Sequence, residues 1–256
     1  VVFESSVRYV AEMIIESKKT VALTGAGIST ESGIPDFRGP EGLWKKIDPR
    51  LVTIQSFRMF PEVFWYFIAE RFESLMKAQP NKAHYALAEL EKIGKLSSII
   101  TQNVDGLHFK AGSKNVIELH GNMREAICMN CSTIVPMDEA LKMAKRNYYL
   151  PMCKSCGGIL KANVILFNEP LPKEAIEKAL CESRTCDLML VIGTSLQVYP
   201  AAYMPAIAKQ RGAKLAIINM EPTPLDDSAD VVIHAKAGEV LPVIVGIIKE
   251  KLMRAS

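Results

Sequence analysis

The chain has 256 residues, more than an ordinary single-core domain of roughly 100–150 residues and less than two, so one large domain with a smaller appendage fits its length. Hydrophobic residues make up 49% and charged residues 23%, the composition of a globule, which excludes disordered and collagen-like classes. A net charge of +3 does not by itself point to nucleic acid, and no apolar run approaches the ~20 residues of a membrane span.

Val7, Val10, Ala11, Ile14 and Ile15 recur at helical spacing. Val1–Arg8 mixes acids and bases without an apolar core, so no secretory signal is read there and a cytoplasmic location is expected. Thr20–Thr24 then reads as a short buried strand running into Gly25-Ala26-Gly27-Ile28-Ser29, a turn where a pyrophosphate can approach backbone and a helix N-terminus. Position six of that turn is Thr30 rather than a small residue, which disfavours a hydride-transferring dehydrogenase. Residues 31–80 break the pattern and carry an aromatic cluster, Phe57, Phe60, Phe64, Trp65 and Phe67, read as the core of a helical module. Asn81–Ile93 predicts a helix with Asn81 as N-cap and Gly94 past its end, and Ser97–Thr101 a buried strand.

Further continuous β-branched runs at Val164–Phe167, Leu188–Ile192, Leu215–Ile218 and Val231–Ile233 predict strands, with helices over Ala201–Gln210 and Glu239–Leu252. Alternating strands and helices predict an α/β fold with a Rossmann-like, doubly wound parallel sheet built from residues 1–30, 81–120 and 162–256. Residues 31–80 and 121–161 are then inserted as a small domain. No internal repeat or low-complexity segment is present.

Four of the six cysteines form two pairs, Cys128-x-x-Cys131 and Cys153-x-x-Cys156, with 21 residues between the pairs. Two such knuckles can close a tetrahedral shell of four thiolates around one structural zinc ion. The alternative, two disulfides, is disfavoured in a chain without a secretory signal. Cys181 and Cys186 have no assigned role.

The turn continues as Gly25-Ala-Gly-Ile-Ser-Thr-Glu-Ser-Gly-Ile-Pro-Asp-Phe-Arg38, and later blocks read Thr101-Gln102-Asn103-Val104-Asp105-Gly106-Leu107-His108 and Leu119-His120-Gly121. Together these resemble the sirtuins, NAD-dependent protein-lysine deacylases, and the resemblance runs on through the cysteine pairs to Gly193-Thr194-Ser195-Leu196, Asn219-Met220-Glu221-Pro222 and Lys236-Ala237-Gly238. It implies a prokaryote-like catalytic core in which residues 31–80 hold a cofactor loop and helical module, residues 121–161 form a zinc ribbon, and NAD and an acylated lysine share the cleft between small and large domains.

On this resemblance Gly25, Ala26, Gly27, Ser29, Gly193, Thr194 and Ser195 surround the NAD diphosphate, and glycine suits the close backbone approach. Asp36, Phe37 and Arg38 belong to the cofactor loop, with Phe37 shielding the reacting ribose; an isolated arginine or aromatic would otherwise read as surface or core. Gln102, Asn103, Val104 and Asp105 face nicotinamide and its ribose. Asn219, Glu221 and Ala237 hold adenosine, where a carboxylate accepts from ribose hydroxyls and repels a 2′-phosphate, favouring NAD over NADP. His120 is the expected general base, assisted by Asn103, because an imidazole titrating near neutrality can take a ribose hydroxyl proton. The implied reaction begins with attack of the acyl oxygen on the ribose carbon as nicotinamide leaves, giving an alkylimidate, and ends in free lysine and O-acyl-ADP-ribose. NAD is consumed, and zinc with four thiolates has no open position for chemistry.

The segment Val164–Phe167 is expected to take the substrate backbone by strand addition, with Ile165, Phe167 and Asn168 contacting the acyl-lysine. Asn168 stands where the family usually has glycine, a position asparagine can fill in the left-handed region. Family members that accept succinyl groups carry a Tyr-x-x-Arg pair whose matching positions here are Ile68 and Arg71, so neutral acyl groups are expected to be preferred. The expected partners are acyl-lysine proteins or peptides, with no membrane and no direct nucleic-acid contact. Two alternatives use the same residues differently: an NAD-dependent mono-ADP-ribosyltransferase, and a zinc-ribbon nucleic-acid module using Lys142, Lys145 and Arg146.

Overall fold

A computed structural model describes residues 2–39 and 42–255. The chain runs α1 (Val2–Glu16), β1 (Thr20–Thr24), α2 (Ile54–Met59), α3 (Pro61–Lys77), α4 (Lys82–Lys92), β2 (Ser98–Thr101), α5 (Leu107–Lys110), β3 (Val116–Glu118), β4 (Gly121–Cys128), β5 (Ile134–Pro136) and α6 (Met137–Arg146). It continues through β6 (Leu160–Val164), α7 (Lys173–Thr185), β7 (Leu188–Ile192), α8 (Tyr203–Gln210), β8 (Lys214–Ile218), β9 (Val231–Ile233) and α9 (Ala237–Ala255).

Six strands form one parallel sheet in the order β3-β2-β1-β7-β8-β9. Every residue of β1, β2 and β7 is buried, which explains why these strands read as unbroken apolar runs rather than alternating ones. α1, α4 and α9 pack on one face, around Ile14, Leu87, Leu90 and Ile244; α7 and α8 pack on the other, around Ala179, Met204 and Leu215. The chain winds outward from β1 to β3 and then restarts at β7 on the other side of β1. The crevice between the carboxyl ends of β1 and β7 is therefore the topological switch point, where open α/β sheets bind ligands.

The predicted cap of α4 is present. Asn81 Oδ1 accepts from the Ala83 amide at 2.9 Å, and the helix terminates before Gly94 at φ 72°. Asn81 Nδ2 also donates to the Ile28 carbonyl at 2.8 Å, tying this cap to the glycine-rich turn.

A second core joins α2, α3 and α6 to a three-stranded antiparallel sheet, β5-β4-β6. Trp65, fully buried, donates its indole N–H to the Leu160 carbonyl at 2.8 Å and so pins α3 to β6. Phe57 and Phe64 pack edge to face beside it, 5.2 Å between ring centroids. Phe60 departs from the aromatic core expected of it: it sits at the junction of α2 and α3 and is 53% exposed. The break between the short α2 and the longer α3 turns its side chain out of the stripe that its spacing implies.

The run Val164–Phe167 is likewise not a strand of the large sheet. Val164 ends β6, which pairs antiparallel with β4, and the chain then forms one isolated bridge between Phe167 and Thr53. A short apolar run shows that a segment is extended and buried, but not which sheet receives it. α7 and β3, unpredicted from the pattern, complete the large layer.

Candidate active site

The carboxyl ends of β1 and β7 lead directly into Gly25 and Gly193. Gly27 donates its N–H to the Gly193 carbonyl at 2.8 Å, and a Cβ on Gly27 would lie 2.8 Å from that oxygen. A Cβ on Gly25 would lie 2.7 Å from Thr194 Cβ. Glycine is thus required for the two turns to approach, and residues 26–32 leave the crevice as a 3₁₀ helix. Above the crevice opens a cavity of about 1310 Å³ that is lined by every residue expected to bind NAD or the acyl-lysine, together with His120. The cysteine quartet lies apart from it.

A polar network floors this cavity. Ser29 Oγ donates to Asp105 Oδ2 at 2.7 Å, and Asn103 Nδ2 donates to the Gly25 carbonyl at 3.0 Å and to Ser29 Oγ at 3.2 Å. Asp105 Oδ1 accepts from the Leu107 amide at 2.9 Å, capping α5. Gln102 Nε2 donates to Thr194 Oγ1 at 3.0 Å, linking the β2 and β7 loops. Beneath them lie two buried histidines with ring centroids 5.0 Å apart. His108 Nε2 is 3.0 Å from Thr24 Oγ1, and its pKa is held down to about 3 by burial and by His84. His84 Nδ1 accepts from the Asn81 amide at 3.3 Å, and burial lowers its pKa to about 4 against an opposing pull from Asp105.

His120 follows β3 and is half-buried at the cavity wall. Its Nδ1 lies 2.9 Å from the Gln102 carbonyl oxygen. A carbonyl can only accept, so Nδ1 carries the hydrogen and Nε2 keeps its lone pair. Burial pushes the His120 pKa below its ordinary value, opposed by that backbone hydrogen bond. Gly121 next to it has φ 74°, and a Cβ there would lie 2.1 Å from the Asn163 carbonyl oxygen. The β4–β6 pair closes at this point, with the Ile165 amide donating to the His120 carbonyl at 2.8 Å.

The loop after the glycine turn folds back on itself: Leu43 and Trp44 amides donate to the Asp36 and Phe37 carbonyls at 2.9 and 3.0 Å. Asp36 Oδ1 accepts from the Gly39 amide at 2.8 Å, and Arg38 is exposed. Phe37 is 4.9 Å from Trp44, and Trp44 5.8 Å from Phe167, between ring centroids. Trp44 lies outside the motif blocks; only folding brings this aromatic between the two candidate regions. Across the cavity, Ile165, Leu166 and Phe167 all line the wall, Leu166 buried in the second core and Phe167 38% exposed, and Asn168 holds φ 65° with Nδ2 donating to Gln55 Oε1 at 3.1 Å. At the far end, Asn219 Nδ2 donates to the Glu221 carbonyl at 2.6 Å, and the Gly238 amide beside Ala237 donates to Glu31 Oε2 at 2.8 Å. Thr24 and Trp44 lie outside the motif blocks, whereas Glu31 lies inside the glycine-turn block with no role read for it from the sequence.

Sulfur atoms of Cys128, Cys131, Cys153 and Cys156 all lie within 4.8 Å of one another. Cys128–Cys156 is 3.5 Å and Cys131–Cys153 3.7 Å, close to the ~3.8 Å edge of a tetrahedron with metal–sulfur bonds of about 2.3 Å, and far from a disulfide bond. Amides of Asn130 and Gly158 approach Cys128 and Cys156 Sγ at 3.4 Å each, as a knuckle requires. The quartet fits one structural zinc ion. The basic stretch Lys142–Arg146 is the last half of α6, where Lys142 pairs with Asp138 at 3.5 Å.

Comparison with known proteins is consistent along the chain. A family model described as the Sir2 family matches residues 25–200. An NAD-dependent protein deacetylase from Caldivirga maquilingensis is 51% identical over 242 residues, spanning 94% of this chain and 93% of the relative. A Sir2 homologue with a serine-to-alanine substitution, solved with ADP-ribose, superposes with a TM-score of 0.91 at 44% identity, covering 96% of this chain and 97% of that one. A Sir2 with a histidine-to-alanine substitution, bound to a deacetylated p53 peptide and 3′-O-acetyl-ADP-ribose, gives 0.89 at 40% identity, over 95% and 97%.

Proposed function

The chain belongs to the Sir2 family, and from that membership we propose that it is an NAD-dependent protein-lysine deacetylase, consuming NAD and passing the acyl group to ADP-ribose with release of nicotinamide. The observation that carries the reading is the tautomer of His120: with Nδ1–H committed to the Gln102 carbonyl, Nε2 is the basic atom, in the same cavity as the glycine crevice and Ile165–Asn168.

His120 Nε2 takes the proton from a ribose hydroxyl, and a lowered pKa keeps that nitrogen unprotonated at neutral pH. Asn103 and Asp105, held by Ser29 and the Gly25 carbonyl, present polar atoms to nicotinamide and its ribose. The diphosphate is held by the glycine crevice with Ser195, adenosine by Asn219, Glu221 and Ala237, and Phe37, on a loop with Asp36 and Arg38, shields the reacting carbon from water. Cys128, Cys131, Cys153 and Cys156 hold zinc as a scaffold. Ile165 and Phe167 line the acyl-lysine passage. Ile68 supplies no hydroxyl, and the Arg71 guanidinium lies 4.0 Å above the Phe67 ring, so neutral acyl groups are preferred to succinyl.

The test incubates the protein with NAD and acetyl- or succinyl-lysine peptide, following nicotinamide and O-acyl-ADP-ribose. Deacetylation is expected to exceed desuccinylation and to fall by about 10²–10⁴-fold in His120→Ala. Unchanged turnover in the variant overturns the assigned base. A faster succinyl rate overturns the acyl preference, and ADP-ribose on protein in place of O-acetyl-ADP-ribose identifies a transferase.

A further inference from the structure

Lys161 is the one lysine among the described residues whose side chain is buried, at 3% exposure, and it does not line the cavity. Its ammonium has three N–H groups, and each meets an acceptor: the Val164 carbonyl at 2.5 Å, the Ala162 carbonyl at 3.2 Å and Glu169 Oε2 at 3.1 Å. Glu169 Oε2 also accepts from the Leu166 amide at 2.9 Å, and the Glu169 amide donates to the Leu166 carbonyl at 3.1 Å. Residues 162–169 therefore wrap around a single cation. Asn168, at φ 65°, turns the chain back so that the carboxylate reaches it.

The wrap decides which way the segment faces. With Leu166 held in the second core by its amide and its side chain, Ile165 and Phe167 flank it as the more exposed residues of a cavity wall that Leu166 also lines. The outer edge is fixed separately, Phe167 N–H donating to the Val52 carbonyl and Ile54 N–H to the Phe167 carbonyl, both at 3.0 Å. A buried ion pair is a poor source of net stability compared with apolar packing, whereas its directional bonds specify one arrangement. Three acceptors around one ammonium define the curvature of this loop in a way that a methionine of similar volume would not.

Resting on the deacylase reading, we propose that Lys161 is a positioning residue for acyl-lysine binding, acting through Glu169 to hold Ile165–Asn168 in the shape that receives the substrate. The glycine crevice and the adenosine end share no bond with this pair, so NAD binding is independent of it.

The experiment compares the parent with Lys161→Met, Glu169→Gln and the double variant, measuring KM for an acetyl-lysine peptide, KM for NAD, kcat, thermal melting and hydrogen exchange of the peptide amides across residues 162–169. Each single variant is expected to raise peptide KM by about 10-fold or more, to leave NAD KM within about 2-fold, and to speed exchange at Leu166. The double variant is expected to lose less than the product of the single losses, because the two groups act as one unit. A peptide KM within about 2-fold of the parent in Glu169→Gln, or a parallel rise in both KM values, overturns the proposal. Glu169→Gln is the milder change and keeps the measurement interpretable if Lys161→Met does not fold. If the parent deacylates no peptide, the deacylase reading fails, while exchange at Leu166 still decides whether the ion pair holds the loop.

Discussion

Acid should destabilise this protein well before its carboxylates protonate. His84 and His108 are buried neutral under the active site, with pKa values lowered to about 4 and about 3. In the unfolded chain both titrate near 6.5, so between these values the unfolded state binds more protons and folding loses stability as pH falls. The contribution is fully present above pH 6.5 and is spent when pH passes the folded values. Each histidine costs about 1.4 kcal/mol per pH unit below 6.5, hence about 2 kcal/mol at pH 5 and about 4 kcal/mol for the pair. That is a large share of the ~5–15 kcal/mol by which domains are stable. Urea unfolding at pH 8 and pH 5 measures it. In His108→Gln the loss between the two pH values should shrink by about 2 kcal/mol, one histidine's share. The zinc site and His120 are common to parent and variant, so the difference belongs to His108. An equal loss in both proteins refutes the reasoning.

Three further outcomes follow from the site. The acid limb of kcat/KM should fall below pH 6.5, since burial lowers the His120 pKa; a midpoint above 7 in the pH–rate profile contradicts that assignment. Gly121→Ala should cost roughly 1–3 kcal/mol in unfolding measurements and reduce turnover, because its Cβ meets the Asn163 carbonyl beside His120. Elemental analysis should find one zinc per chain. Cys131→Ser should lower the melting temperature and lose the metal, whereas a zinc-free protein with parental stability argues against a structural site.

Local patterns carried much of this into view. The glycines after β1, the Asn81 cap, the cysteine spacing and the blocks containing Gln102–Asp105 and His120 are short-range features, because backbone conformation and knuckle geometry are set by neighbours in the chain. The parallel sheet was legible for a related reason: strands buried on both faces must be apolar throughout.

Tertiary structure decided what depends on which segment meets which. Val164–Phe167 reads as buried and extended, yet register alone sends Val164 to the β4 pair and leaves Ile165 and Phe167 at the cavity. Trp44 between Phe37 and Phe167 and Lys161 enclosed by its own loop involve residues outside the motif blocks, and Glu31 on the Gly238 amide joins two blocks that lie far apart in the chain. The sequence by itself determined the chemical groups and the local turns that expose them. The tautomer of His120, the burial that lowers the histidine pKa values and the ion pair behind Ile165–Asn168 arise only on folding, because each needs a partner or a low-dielectric surrounding that the extended chain does not supply.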